Sequence, residues 1–292
     1  MLSFRKCPAF DAVSAGRKAV MTIEPGLRVH RVSLIVGNAA VAANDLDNGD
    51  DTSDLLDDIV VKYKAKPQRI FTPAQLNRMN SLNGAEYGIK SVGTAGQADR
   101  FHRIDIWFAN PWRLTAAERV APAWNLAKEG IQIEVNIKAG LAAPTLEAEM
   151  EVDALTQDDI GAIQKVYRED ISAVGSTKKI QTLAKADLIE AIHFLPTVGG
   201  TSRYVSAVKL QRNGYDDIDN ISLTSMQASL TGWGLNPDSR ATPWYELVLD
   251  RSDRMQDGMV AEGLRTLHAD VTFSGAAAGV LPVIIQRTGA PD

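Results

Sequence analysis

The stretch IQIEVNI (Ile131–Ile137) alternates apolar and polar residues over seven positions, which is the pattern of a strand with one buried face. A second stretch, LHADVTF (Leu267–Phe273), repeats the alternation in the same phase and carries an acidic residue at the same position. Each stretch runs into a turn of small residues, at 139–143 and at 274–279, and then into another apolar run. Both pairs of runs predict β-hairpins, and their likeness points to a duplicated unit.

Further matches follow in the same order along the two halves. Two Thr-x-x-Gln boxes, at Thr72 and Thr224, each predict the start of a short helix. Pro73 and Gly84 mark the two ends of the first helix. The remaining matches set 104–108 against 245–249, Val32 against Ile192 and Leu34 against Phe194. The offset between the halves drifts from 136 to 160 residues, as expected if loops changed length while the strands persisted.

Strand signals of this kind fill both halves and are separated by Gly, Pro, Asn and Asp, as in sandwiches and barrels. The strands of the first half are predicted near 19–24, 29–36, 59–65, 85–91, 103–109, 131–138 and 145–152. Those of the second half are predicted near 179–183, 188–195, 204–211, 244–250, 267–273 and 280–286. The predicted fold class is all-β: two tandem jelly-roll β-sandwiches, a double jelly roll, with short helices in loops and a helical connector.

The predicted domain organisation has four parts. They are an N-terminal arm at 1–18, a first jelly roll at 19–152, a helical connector at 153–176 and a second jelly roll at 177–292. In the connector, Thr156 predicts the cap of a helix with Ile160, Ile163, Val166 and Tyr167 on one face. The connector lacks the Gly, Ser and Pro of a flexible linker, which predicts two halves held rigidly together.

Composition excludes several classes of protein. The hydrophobic share of 45% and charged share of 23% are those of a globular chain of 292 residues. A net charge of −5 disfavours direct sequence-specific binding of nucleic acid. Cys7 is the only cysteine, which excludes a disulfide framework and favours synthesis in a reducing cytoplasm. Residues 1–18 lack the apolar run of a signal peptide, and no eighteen apolar residues run together.

No catalytic motif stands out, so no catalytic or cofactor-binding residue is assigned and the chain is predicted not to be an enzyme. Walker, G-x-G-x-x-G and G-x-S-x-G motifs are all missing from the sequence. His30 and His193 fall in roughly corresponding strands, which is a faint indication of a double-barrel cupin with a bound metal. Isolated surface or strand histidines are the simpler interpretation of both.

A carbohydrate-binding or carbohydrate-cleaving two-domain β-sandwich protein is the alternative function. Acidic residues on predicted strands leave a glycosidase pair open, and tryptophans in both halves leave a sugar platform open. The acidic residues are Glu134, Glu147, Glu149, Glu151, Glu246 and Asp270, and the tryptophans are Trp107, Trp112, Trp124, Trp233 and Trp244.

The densest charge cluster is acidic and contains a candidate calcium site at Asp45, Asp47, Asp50 and Asp51. It departs from the EF-hand pattern, because Gly49 precedes Asp50 and Leu56 replaces the last glutamate. A solvated acidic loop is the main interpretation, with Ca²⁺ as the one cofactor considered. A smaller cluster of Asp216, Asp217 and Asp219 is predicted to lie in a turn after Asn213-Gly214.

Two stretches resemble a known family. RKCPAFDAVSAGRKAVMTIEPGLRVHRVSLIV at 5–36 and KPQRIFTPAQLNRMNSLNG at 66–84 are similar to the coat proteins of corticovirus-type tailless phages, which are double-jelly-roll major capsid proteins. The duplicated unit, the capped helices and the missing catalytic motifs agree with this resemblance.

The resemblance implies a structural major capsid protein. It implies a homotrimer whose six jelly rolls make a pseudo-hexagonal capsomer of an icosahedral virion, assembled in the host cytoplasm. It also implies that neighbouring capsomers, a vertex protein and an internal viral membrane are partners, and that the N-terminal arm faces inward. Calcium at subunit contacts in the family supports the site at 45–51. We expect Phe108, Trp112 and Trp124 to contact other subunits or the other barrel.

Overall fold

The alternating stretches form antiparallel sheets in a computed structural model, which describes residues 2–38, 55–93, 101–113, 115–181, 183, 187–250, 258–261 and 263–292. The chain divides into two compact units, Met1–Gln164 with Ala290–Asp292 and Lys165–Gly289. The boundary falls after the second residue of a long strand. Among the described residues, no helix is long and apolar enough to cross a membrane.

The first unit contains two sheets of antiparallel strands. Its strands are β1 (Ser3–Lys6), β2 (Lys18–Ile23), β3 (Leu27–Asn38), β4 (Leu56–Tyr63), β5 (Lys66–Phe71), β6 (Lys90–Val92), β7 (Phe101–Trp107), β8 (Trp124–Leu126), β9 (Ile131–Ile137) and β10 (Pro144–Asp153). One sheet has the order β1-β10-β3-β7-β6, with β8 also paired to β3, and the other has the order β5-β4-β9-β2. Its helices are α1 (Pro73–Leu82) and α2 (Ala116–Val120), with a 3-10 turn at Ala85–Tyr87.

The second unit repeats this arrangement. Its elements are β11 (Ile163–Ile180), β12 (Leu188–Phe194), β13 (Val205–Arg212), β14 (Tyr215–Ser222), α3 (Leu223–Gly232), β15 (Tyr245–Val248), β16 (Met259–Val260) and β17 (Leu267–Gly289). The order β14-β13-β17-β11 forms one sheet, and β12 pairs with β15, β16 and β17 in the other layer. The all-β double jelly roll predicted from the sequence is therefore confirmed.

The register of the central strands confirms the predicted duplication. The same pairs of positions face one another in both units. Val32 pairs with Ile106 and Leu34 with Ile104 in the first unit, and at the equivalent positions of the second unit Ile192 pairs with Leu247 and Phe194 with Tyr245. All eight side chains are buried. The shared pattern of apolar residues thus specifies the same register in both units, since a slip of one residue would turn every buried side chain outward.

The predicted N-terminal arm is wrong, because residues 3–6 form β1 and pair with β10. The backbone of Cys7 continues this contact by donating to Ala148 O at 2.9 Å. The sequence SFRK contains a single apolar residue, so it lacks the apolar alternation from which a strand is predicted. Its main-chain hydrogen bonds to the edge of β10 supply the stability that side-chain burial does not.

The predicted helical connector is also wrong, because β11 occupies most of it. Ile163, Val166 and Tyr167 fit one face of a helix, but β-branched and aromatic residues favour a strand. Gly175 has a φ of 90°, which no α-helix contains. Thr156 does not cap a helix; its backbone N–H and hydroxyl both donate to Asn125 Oδ1.

The two predicted hairpins are not formed. β9 pairs with β2 and β4, whereas β10 pairs with β1 and β3, so the small residues at 139–143 carry the chain from one sheet to the other. In the second unit β17 makes the same passage without a break, pairing with β13 through 267–273 and with β12 through 283–288. Alternation reveals that a strand has a buried face but not which strand it pairs with.

The caps of the two long helices differ from one another. Thr72 and Gln75 form the predicted capping box of α1: Thr72 Oγ1 accepts from the N–H of Gln75 at 3.2 Å, and Gln75 Oε1 accepts from the N–H of Thr72 at 2.9 Å. The predicted box at Thr224 is wrong. The N-cap of α3 is Ser222, whose hydroxyl accepts from the N–H of Ser225 at 3.2 Å.

Candidate assembly surfaces

A β-bulge occurs at the same place in both units and buries a polar side chain. In the first unit His30 is the extra residue of β3, and its Nε2 lies 3.1 Å from Asp153 Oδ1. In the second unit Glu190 is the extra residue of β12, and its Oε1 accepts from Thr288 Oγ1 at 2.8 Å. Bulges of this kind act as built-in features that bend a strand, so the duplication extends to this detail.

The carboxylate of Asp153 is the centre of the polar cluster in the first unit. Arg28 donates to it through Nε at 2.8 Å and Nη2 at 2.6 Å, a bidentate arrangement. The hydrogen bonds from Arg28 are the main reason that the pKa of Asp153 falls to about 2, and His30 adds to the effect. The cluster therefore holds a carboxylate that stays ionised at neutral pH.

Phe108 and Trp124 pack in the interior, where their rings meet edge to face with centroids 4.8 Å apart. Their exposed fractions are 1% and 0%. The guanidinium of Arg69 lies 5.0 and 5.2 Å from the two ring centroids. A side chain with almost no exposed surface cannot contact another subunit, so the intersubunit part of the prediction is wrong for these two residues.

Trp112 belongs to a partly exposed aromatic cluster. Its ring centroid lies 5.3 Å from that of Tyr87 and 6.4 Å from that of Trp107, in edge-to-face arrangements. Residues of this type are enriched where proteins contact one another. The contact role of Trp112 stays a prediction.

Trp107 also ends a row of side chains that crosses the outer face of the sheet. The strand register places Phe4 beside Glu151, Glu151 beside Arg31 and Arg31 beside Trp107. The guanidinium of Arg31 lies 4.7 Å from the ring centroid of Trp107 and 3.3 Å from the carboxylate of Glu151. Phe4 is 68% exposed, an unusual value for phenylalanine in a strand.

Within the described residues, β1 and β14 each pair with a single strand and so end their sheets. Seven of the eight residues of β14 are exposed, including Tyr215 at 78%. Asn213 and Gly214 both have positive φ and form the turn before it. Asp216, Asp217 and Asp219, which the sequence predicts to lie in a turn, therefore lie in a strand instead. Asp216 and Asp217 are held by neighbours, with the carboxylate of Asp216 2.7 Å from Lys209 Nζ.

The predicted calcium residues Asp45, Asp47, Asp50 and Asp51 lie outside the described residues. Where the structure describes the chain, no three His, Cys, Asp or Glu side chains are grouped so that they could hold a metal. The calcium site remains a prediction.

The two histidines of the cupin interpretation do not occupy equivalent positions. His193 lies at the position of Ser33 in the repeat, and its Nε2 is 3.2 Å from Gln286 Oε1. His30 contacts Asp153 instead. Cys7 is buried, and burial followed by the charge of Glu149 raises the pKa of its thiol to about 12, so it is a poor nucleophile.

Two of the strand carboxylates, those of Glu134 and Glu246, make structural contacts. Glu134 receives hydrogen bonds from Lys62 Nζ at 2.5 Å and Lys18 Nζ at 3.1 Å. Burial acts to raise the pKa of Glu134, but the two lysines outweigh it and lower the pKa. Glu246 is 2% exposed and accepts from the N–H of Asp238 at 3.1 Å. A carboxylate held ionised by two lysines does not suit a glycosidase acid, which requires a raised pKa.

The chain contains two jelly rolls in tandem, and the two share the same strand register and a β-bulge at the same place. These features define it as a double-jelly-roll protein. Residues 4–153, just over half of the chain, match the family model for the viral coat protein P2 N-terminal domain. The chain belongs to the viral coat protein P2 family, and it is a capsid protein. No curated protein matches the sequence.

Solved structures share the fold over nearly the whole chain. The major capsid protein P2 from bacteriophage PM2 is 14% identical, with a TM-score of 0.78 over 99% of this chain and 97% of that one. PBCV-1 VP54 is 10% identical, with a TM-score of 0.66 over 99% and 93%. The STIV major capsid protein is 11% identical, with a TM-score of 0.65 over 99% and 96%. At such low identity these likenesses establish the fold.

Proposed function

We propose that three copies of this coat protein form a trimer whose six jelly rolls make a pseudo-hexagonal capsomer of a tailless icosahedral bacteriophage. The repeat within the chain is the observation that carries the proposal. Equivalent pairs of residues and equivalent bulges make the two units alike, so a three-fold axis generates six similar lobes. Such an object can pack with six neighbours in a shell.

The role of the chain in this proposal is structural and not enzymatic. Half-buried acidic and basic groups of the first unit pair with one another, as in the contacts of Asp153 with Arg28 and of Glu134 with Lys62. Charges paired in this way stabilise the strand register. The protein would be made in the host cytoplasm and end in the virion, next to a vertex protein and an internal membrane.

The mass of the purified native protein tests the proposal. Light scattering should give three times the chain mass of 31.6 kDa at micromolar concentration. A monomer that persists at the highest attainable concentration would contradict the trimer. A monomer that binds oligosaccharide would support the carbohydrate alternative in its place.

Calcium at Asp45, Asp47, Asp50 and Asp51 is a further part of the proposal. Four carboxylates within seven positions supply the oxygen ligands that Ca²⁺ prefers. Removing Ca²⁺ with a chelator should lower the melting temperature of the trimer, because a bound ion stabilises the state that binds it. An unchanged melting temperature in excess chelator and in excess Ca²⁺ would refute the site.

A further inference from the structure

We infer that β1 of one copy adds to the open edge of β14 in the next copy, so that a sheet continues across the subunit contact. This contact rests on the proposed trimer and specifies which surfaces meet in it. Both strands end their sheets within the described part of the chain. An open edge presents unpaired N–H and C=O groups that a further strand can satisfy.

The charges of the two edges are opposite. β1 carries Arg5 and Lys6, whose side chains are exposed. β14 carries Asp216, Asp217 and Asp219, and the side chain of Asp219 is 78% exposed. Lys6 also pairs with Glu147, and Asp216 and Asp217 pair with Lys209 and Arg212. Arg5 and Asp219 are therefore the charges on which the edge contact is tested.

The same charges disfavour the wrong pairings. Two β1 edges would bring Arg5 and Lys6 against a second copy of themselves, and two β14 edges would bring aspartates together. Like charges on adjacent strands repel, so the unlike pair is the most favoured of these three pairings. Specificity of this kind comes from rejecting alternatives as much as from attraction.

Apolar side chains flank both edges. Leu2 and Phe4 are 47% and 68% exposed, and Tyr215 and Ile221 are 78% and 36% exposed. Adjacent strands lie about 4.8 Å apart, so main-chain pairing would bring such side chains into contact and bury them. The contact would thus combine backbone hydrogen bonds, charge and apolar burial.

The contact is head to tail, because β1 belongs to the first unit and β14 to the second. Each copy offers one edge of each kind. Heterologous contacts of this sort close into a ring when the rotation between copies permits. Three copies would make three identical contacts and leave neither edge open.

Charge reversal tests the contact. Arg5→Glu and Asp219→Lys should each weaken trimer association about tenfold or more, because each places like charges at the edge pair. The double variant restores opposite charges, and its association should return to within about threefold of the original value. The dissociation constants are measured by sedimentation or mass photometry over a dilution series.

Lys128→Glu and Glu24→Lys are matched controls, since each makes the same charge change at an exposed residue outside both edge strands. Their trimers should dissociate like that of the unaltered chain. Single variants that stay as tightly trimeric as the controls, or a double variant that is not restored, would overturn the edge contact. A monomeric unaltered chain would instead refute the proposed trimer itself.

Discussion

At the scale of single residues, the buried polar groups distinguish the two halves of a repeat that is otherwise shared. The bulged position holds His30 in one unit and Glu190 in the other, and the partner is Asp153 or Thr288. The alternation of the sequence predicts the apolar partners of these strands, but it carries no signal for a bulge. One inserted residue shifts the alternation, and only the contacts of the folded chain show where the shift occurs.

Asp153→Asn should destabilise the first unit by about 1.5–3 kcal/mol, because it removes charge-assisted hydrogen bonds from the half-buried Arg28. Urea unfolding at pH 7 measures the loss. Asp170→Asn is the control, since Asp170 pairs with Arg168 at an exposed site where such pairs contribute about 1 kcal/mol or less. Equal losses in the two variants would contradict the role of the cluster.

The stability that Asp153 contributes should depend on pH in the acidic range. Its pKa is about 2 in the folded chain, against about 3.9 for an unfolded aspartate. The depressed pKa means that the contribution is fully present above the unfolded value and is lost as pH falls through the folded one. The unfolding free energy of the unaltered chain should therefore fall below pH 4 more steeply than that of Asp153→Asn, and parallel curves would refute it.

Trp124→Ala should destabilise the chain by about 3–5 kcal/mol, since it empties the space beside Phe108 and removes a contact of Arg69. Trp233→Ala is the matched control, because Trp233 is 39% exposed at the end of α3. We expect its loss to be well below that of Trp124→Ala, as measured by chemical unfolding. Similar losses would show that Trp124 is not a core residue.

At the scale of elements, the sequence predicts strands better than it predicts their partners. The stretch 131–137 is a strand as expected, yet its neighbours are β2 and β4 and not the strand that follows it. The short β1 escapes detection because its edge position requires no apolar alternation. The box at Thr224 fails for a different reason: Ser222 lies two residues earlier and caps the helix first.

Ser222→Ala should therefore destabilise the second unit by about 1 kcal/mol through loss of the N-cap of α3. Thr224→Ala should change the unfolding free energy by less than about 0.5 kcal/mol, because Thr224 is an exposed residue of the first turn. Thermal unfolding of both variants measures the difference. A larger loss of stability in Thr224→Ala than in Ser222→Ala would show that Thr224, and not Ser222, caps the helix.

At the scale of the whole molecule, duplication links fold to function. The order of the matched segments indicates two units, and their shared register confirms that the units are alike. The surfaces through which copies meet are harder to predict from sequence. Phe108 and Trp124 are residue types that are common at subunit contacts, but both lie in the core. Only the folded chain shows which residues are exposed, and by this criterion Phe4 and the edge strands β1 and β14 are the candidates for subunit contacts.

The most direct measurement is electron microscopy of the purified protein viewed along its symmetry axis. Three copies of a chain with two similar units should appear as a ring of six lobes with a hexagonal outline, although the true symmetry is three-fold. Class averages with six lobes of similar size would agree with a double-jelly-roll capsomer. Averages with three lobes, or a two-lobed particle of a single chain, would contradict it.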